Sequence, residues 1–124
     1  DLYYKVVGGR VDDSFYYLRE QAKFRQGDLE GALQNIRQAM AINAKSPMYL
    51  AEEASIFIRQ KKYAEALQSI DKALTLAPDF AACYRLRGVC FLRTEKKDAA
   101  CEAFNKAKEL GDPVADKLIK ENCQ

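Results

Sequence analysis

The reading of one stretch decides the fold: residues 61–80, KKYAEALQSIDKALTLAPDF. Its Ala66, Ile70 and Ala73 are spaced four and three apart, so the three side chains share one face of a helix, small, large, small. The same trio stands 34 residues earlier as Ala32, Ile36 and Ala39, and 34 residues later as Ala100, Phe104 and Ala107. The alanines admit a neighbouring helix closely, and the large residue fills the space beside them.

A second set of helices precedes these at the same step. Tyr16, Leu50 and Tyr84 begin their apolar stripes, and Phe24, Ile58 and Leu92 end them. The turns between paired helices, RQGD (25–28), RQKK (59–62) and RTEK (93–96), are too short for anything but an antiparallel pair. Pro47, Pro78 and Pro113 all fall between repeats, where proline ends one helix and suits the first turn of the next. The pattern predicts helices at 14–26, 29–43, 47–60, 63–76, 81–93, 97–110 and 113–122. Residues 1–12, DLYYKVVGGRVD, read either as an extended arm or as the end of an upstream repeat's helix closing at Gly8-Gly9. Tyr4 and Val7 fall on core positions when the register is continued backward, which favours the helix.

Length and composition agree with one continuous helical domain: 124 residues, 48% hydrophobic and 31% charged, with six glycines and three prolines. A net charge of +2 offers no concentrated basic face, so nucleic acid is not an expected partner, although Tyr3, Tyr4, Tyr16 and Tyr17 could stack on bases. No run approaches the roughly 18 to 20 apolar residues of a membrane span, and membrane insertion is not expected. The chain starts at Asp1 rather than methionine, from which a missing upstream segment is expected.

Histidine is absent, which removes the Ser/His and Cys/His nucleophile pairs and the His-bearing zinc sites. Cys83 and Cys90 lie seven apart on one predicted helix, about 10 Å along its axis. That is too far for one metal or one disulfide, so the pair reads as small buried apolar residues and no metal or cofactor is expected. Glu52-Glu53 and Asp12-Asp13 are adjacent in sequence and should diverge instead of sharing a proton. Glu30, Glu65 and Asp98 fall near helix starts, where the helix dipole favours them.

With YRLRGVCFLRTEKKDAACEAFNKAKEL (84–110) added to the stretch above, the chain resembles the tetratricopeptide repeat family. The resemblance divides it into repeats at 13–46, 47–80 and 81–114, preceded by the arm or upstream repeat end at 1–12 and followed by a capping helix at 113–124. The junction KAKELGDPVADKL also resembles Sel1-like repeats. The first repeat departs from the pattern, with Glu20 and Lys23 where the family has a small residue and an aromatic. The implied fold is all-α, a right-handed superhelix of antiparallel helix pairs whose concave face usually holds a peptide or another protein.

By that resemblance the groove is lined by Ser14, Tyr17, Gln21, Phe24 and Arg25, then Met48, Ala51, Ser55, Ile58 and Arg59, then Ala82, Arg85, Val89, Leu92 and Arg93. Arg25, Arg59 and Arg93 form a ladder at the 34-residue step which, with Arg85, is expected to receive carboxylates of an acidic peptide. The alternative is that they shield helix C-termini and stay solvated. The family's carboxylate clamp for chaperone tails uses lysine and asparagine where this chain has Tyr17, Gln21, Glu52, Ala82 and Leu86, so chaperone-tail binding is not expected.

The leading expectation is a non-catalytic interaction scaffold; the alternative is a docking module of a larger enzyme or binding protein whose active domain lies upstream. The oligomeric state is left open. Cys101 and Cys123 stand equally far from the turn at Asp112 and are the expected partners of a disulfide, with a reduced buried pair as the alternative. Such a bond would fasten the cap by about 3 kcal/mol. Together with the likeness to cysteine-ended caps of exported bacterial repeat proteins, it leans the expected compartment toward the periplasm, with the cytoplasm as the alternative.

Overall fold

A computed structural model describes residues 6, 7 and 10–124. It contains, among these residues, helices α1 (Asp13–Arg25), α2 (Leu29–Ile42), α3 (Pro47–Arg59), α4 (Tyr63–Leu76), α5 (Ala81–Arg93), α6 (Lys97–Glu109) and α7 (Ala115–Asn122). α1 packs on α2, α3 on α4 and α5 on α6; the pairs are joined in sequence by α2 against α3 and α4 against α5, with α3 also meeting α5. The stack ends with α7 against α6.

The repeated trios form its spine. Ala32, Ile36, Ala39, Ala66, Ile70, Ala73, Ala100, Phe104 and Ala107 are all fully buried. Each large member contributes about 1.5–3 kcal/mol by leaving water. Cys83 and Cys90 join this core as small apolar side chains, and burial pushes both thiols up to about 11, which leaves them protonated at neutral pH.

Local chemistry sets the helix ends. Asp12, Asp28 and Ser46 cap α1, α2 and α3 by accepting from Ser14, Gly31 and Tyr49 backbone N–H groups, and Pro47 opens α3. Each first helix of a repeat stops with a left-handed residue at the same 34-residue step: Gly27, Lys61 and Glu95, with φ of 82°, 62° and 63°. The following N–H then reaches back to the last helical turn, as Asp28 to Lys23, Lys62 to Phe57 and Lys96 to Phe91 at 2.8–2.9 Å. Gly111 closes α6 in the same way, sending Asp112 N–H to the Ala107 carbonyl.

Two sequence expectations need correction. Val6–Val7 pairs antiparallel with Arg10–Val11 as strands β1 and β2, so the residues around Gly8-Gly9 take an extended pairing in place of the helix end favoured above. Tyr3 and Tyr4 lie outside the described residues. The last helix begins at Ala115 rather than residue 113, because the buried Asp112 carboxylate accepts the Val114 N–H in the turn. Ala115 is buried and Leu118 and Ile119 are half-buried. Cys101 on α6 and Cys123 just beyond α7 are joined as a disulfide, their Cα atoms 5.8 Å apart, and Asp116 adds a polar tie by accepting from Lys108 at 2.9 Å.

Candidate functional site

The first helices of the three repeats, α1, α3 and α5, carry the residues expected to line a groove. Most are neither core nor fully solvated. Ser14, Tyr17, Gln21, Phe24, Ser55, Ile58, Ala82, Val89 and Leu92 are half-buried, Met48 is 44% exposed, and Ala51 alone is buried. Arg25, Arg59 and Arg93 are exposed at the C-terminal ends of their helices. These positions offer apolar contact with an arginine at one end of each helix.

Side chains of the first two repeats are already ordered against each other. The Tyr17 and Tyr49 rings lie 5.4 Å apart; Gln21 donates to the Tyr17 hydroxyl at 2.9 Å, and the Tyr49 hydroxyl donates to Asp13 at 2.7 Å. The Arg59 guanidinium sits 5.0 Å above the centre of the Phe24 ring, which orients it while leaving it exposed to a ligand.

Arg85 departs from its expected role. Its Nε–H is shared between the two carboxylate oxygens of Asp112 at 3.1 and 3.0 Å, and Asp112 is 8% exposed. The guanidinium that should have extended the ladder neutralises a buried charge in the turn before α7. The nearby Arg87 is likewise paired, with Asp71 at 2.7 Å. Of the four arginines expected to meet a ligand, Arg85 is thus the one held by a buried carboxylate.

The adjacent carboxylates do diverge, and one of them meets a third. Glu53 accepts from Ser69 at 2.7 Å and pairs with Arg37 at 3.5 Å. Glu52 faces Glu20 of α1 instead. Glu20 is fully buried, and burial first, then the Glu52 carboxylate, pushes it up to about 8. Burial also raises Glu52, and the Tyr17 hydroxyl is raised by burial, Glu52 and Glu20 in that order. The departure of Glu20 from the small residue of its register position was the sequence signal for this cluster; adjacency in sequence pointed away from Glu52.

A concavity of about 740 Å³ lies between α4, α5 and α6 over Leu67, Tyr84, Phe91, Ala99 and Ala103. None of the expected groove residues lines it. Among the described residues no group of histidine, cysteine or carboxylate side chains could hold a metal ion, and no helix is long and apolar enough to cross a membrane.

Comparison with known proteins fits this geometry. The sequence model of the tetratricopeptide repeat matches residues 17–79 and again 51–115. The Hsp70-Hsp90 organizing protein of Triticum aestivum is 26% identical over 97 residues, which take in 69% of this chain and 17% of that protein. The chain thus spans about a sixth of that relative's length. The first such domain of human RPAP3 superposes with a TM-score of 0.84 at 21% identity, covering 90% of each chain. The first such domain of Spaghetti (RPAP3), bound to the HSP90 peptide SRMEEVD, gives 0.82 at 21% identity over 91% of each. At that identity the superpositions establish a shared fold.

Proposed function

This chain belongs to the tetratricopeptide repeat family, and we propose that it is a non-catalytic scaffold that holds an extended peptide segment of a partner protein across α1, α3 and α5. The observation that carries this reading is the row of half-buried side chains ending, on each of the three helices, in an exposed arginine at one register position. Half-buried apolar surface favours contact with side chains of a ligand. Guanidinium groups recurring at a fixed step favour acidic side chains spaced along that ligand, by paired and charge-assisted hydrogen bonds.

A structural relative holds a peptide ending in EEVD, whereas in this chain Tyr17, Gln21, Glu52, Ala82 and Leu86 stand where the family's clamp would place its lysines and asparagine. The proposed ligand contact is therefore with acidic side chains along the arginine edge, not with a terminal carboxylate at the centre. Fluorescence anisotropy with a labelled Asp/Glu-rich peptide tests this. Arg59→Glu with Arg93→Glu should weaken binding more than tenfold, salt should weaken it further, and SRMEEVD should bind less well than the acidic probe. Unchanged affinity of the double variant at low salt would overturn the arginine edge.

A further inference from the structure

The place between α4, α5 and α6 has a counterpart one repeat earlier, between α2, α3 and α4, and the two are filled differently. In the earlier one Leu33, Leu50 and Phe57 are all buried. Their equivalents 34 residues on, Leu67, Tyr84 and Phe91, are half-buried around an open volume of about 740 Å³. Leucine and phenylalanine recur at the same step, so the difference lies largely in the polar residues beside them.

An exchange of charges separates the two junctions. In the earlier one Arg37 of α2 pairs with Glu53 of α3 at 3.5 Å, and its guanidinium lies 5.8 Å from the centre of the Phe57 ring. Ser69 completes the filling by donating to Glu53 at 2.7 Å. In the later one the same two places hold Asp71 and Arg87, paired at 2.7 Å, and Ala103 stands in place of Ser69. The cation now starts from α5 and lies over Tyr84 of its own helix, at 5.4 Å. Among the described residues no cation lies over Phe91, the ring that corresponds to Phe57. The rim carries a matching unpaired charge. Asp71 is engaged by Arg87 and Glu109 by Lys106 at 3.9 Å, which leaves Glu102 exposed on α6 without an ion-pair partner among the described residues.

We propose that this concavity is a second docking site, which takes an arginine and an adjoining apolar side chain from an extended segment of a partner protein. Its lining runs from Ala99 to Glu109 on α6, about 15 Å at 1.5 Å per residue. That is a trough which about four or five extended residues span, and its volume is that of sites enclosing several groups. The arginine stem lies on Leu67 and Ala103, and the guanidinium covers Phe91 as Arg37 covers Phe57 while pairing with Glu102. A lysine meets the charge but not the ring, because its compact ammonium is strongly hydrated and has no plane to stack. The site shares no residue with the expected groove and stands independently of that reading. The chain thus offers one surface to acidic side chains and another to a basic one.

The test selects phage-displayed random peptides on the whole chain, with depletion on the Glu102→Lys chain, whose substitution lies at an exposed position and spares the fold. The enriched sequences should place an arginine beside an aliphatic or aromatic residue. As labelled peptides in fluorescence anisotropy they should lose about tenfold in affinity when that arginine becomes norleucine, and severalfold when it becomes lysine. Glu102→Lys should weaken the arginine form about tenfold and leave the norleucine form unchanged. Ala103→Leu, which fills the floor, should abolish binding of both while circular dichroism shows the native helix content. The Asp/Glu-rich peptide should neither compete with them nor respond to Glu102→Lys. Failure to enrich any peptide that distinguishes the two chains overturns the site, as does a consensus without arginine. Competition by the acidic peptide, or full binding to a folded Ala103→Leu chain, places the segment elsewhere and overturns it equally.

Discussion

Residues 20, 54 and 88 occupy one place in three successive repeats, and the two ends of the molecule fill it in opposite ways. In the third repeat Gly88 brings the α5 backbone against the Phe104 ring, so closely that a methyl group there would meet ring carbons. In the second, the buried Ala54 is matched by Ile70 at the register position of Phe104. Small with large and intermediate with intermediate are two ways of filling one contact between helices. The first repeat has Ile36 at that register position but puts a carboxyl in the other, fully buried and set against the Glu52 carboxyl of α3. One register position thus holds a glycine, an alanine and a carboxyl, each buried. The ends also differ: Arg85–Asp112 ties α5 to the turn before α7, and Lys108–Asp116 and Cys101–Cys123 tie α6 to α7 and the residue after it, whereas α1 leaves Leu18 exposed.

Breaking the tight end should have the largest effect. Gly88→Ala is expected to cost about 3 kcal/mol by overpacking against Phe104, measured by urea denaturation. Adding Phe104→Ile, which copies the second repeat's pair, should recover most of the loss. Removing the fastening with Cys101→Ser and Cys123→Ser should cost about 2–3 kcal/mol, with hydrogen exchange accelerating first in α7.

At the other end the signature is pH dependence. Glu20 ionises near 8 in the folded chain and near 4.5 as an ordinary carboxyl. Its stabilising proton is therefore fully in place below about pH 4.5 and is progressively lost as pH rises toward and through about 8. Wild-type stability should fall by about 3–4 kcal/mol between roughly pH 5 and pH 8, and Glu20→Gln should flatten that slope. The smallest expected effect lies in the turns. Lys61→Gly or Glu95→Gly should raise stability by about 0.5–1 kcal/mol, because each residue is left-handed where the first repeat has Gly27. Gly27→Ala should do the reverse, all three being readable in thermal melts.

The fold was legible because its signals are local and threefold. The trio around Ile36, Ile70 and Phe104, the turns at one step and the prolines at the junctions all named the same helices, and boundaries agreed to within two residues even at α7. The miss at residues 6–11 came from extending that register into a stretch where Val6–Val7 pairs with Arg10–Val11. The surface of the first helices was legible in outline. Tyr17, Phe24, Ile58, Val89 and Leu92 are half-buried and Arg25, Arg59 and Arg93 exposed, while the ion pair of Arg85 was not legible because its partner, Asp112, lies 27 residues away in a turn.

The sequence by itself determined the repeat, the helix pairs, the capping helix and the pairing of Cys101 with Cys123 as an expectation, because periodicity and turn chemistry act over a few residues and a fixed step carries them along the chain. Only the tertiary structure decided which charges are free. Arg85 is neutralised by Asp112, Arg59 is oriented by Phe24, and Glu20 is buried against Glu52. Those outcomes depend on which side chains the stacking of separate repeats brings together, and on how much water it leaves between them.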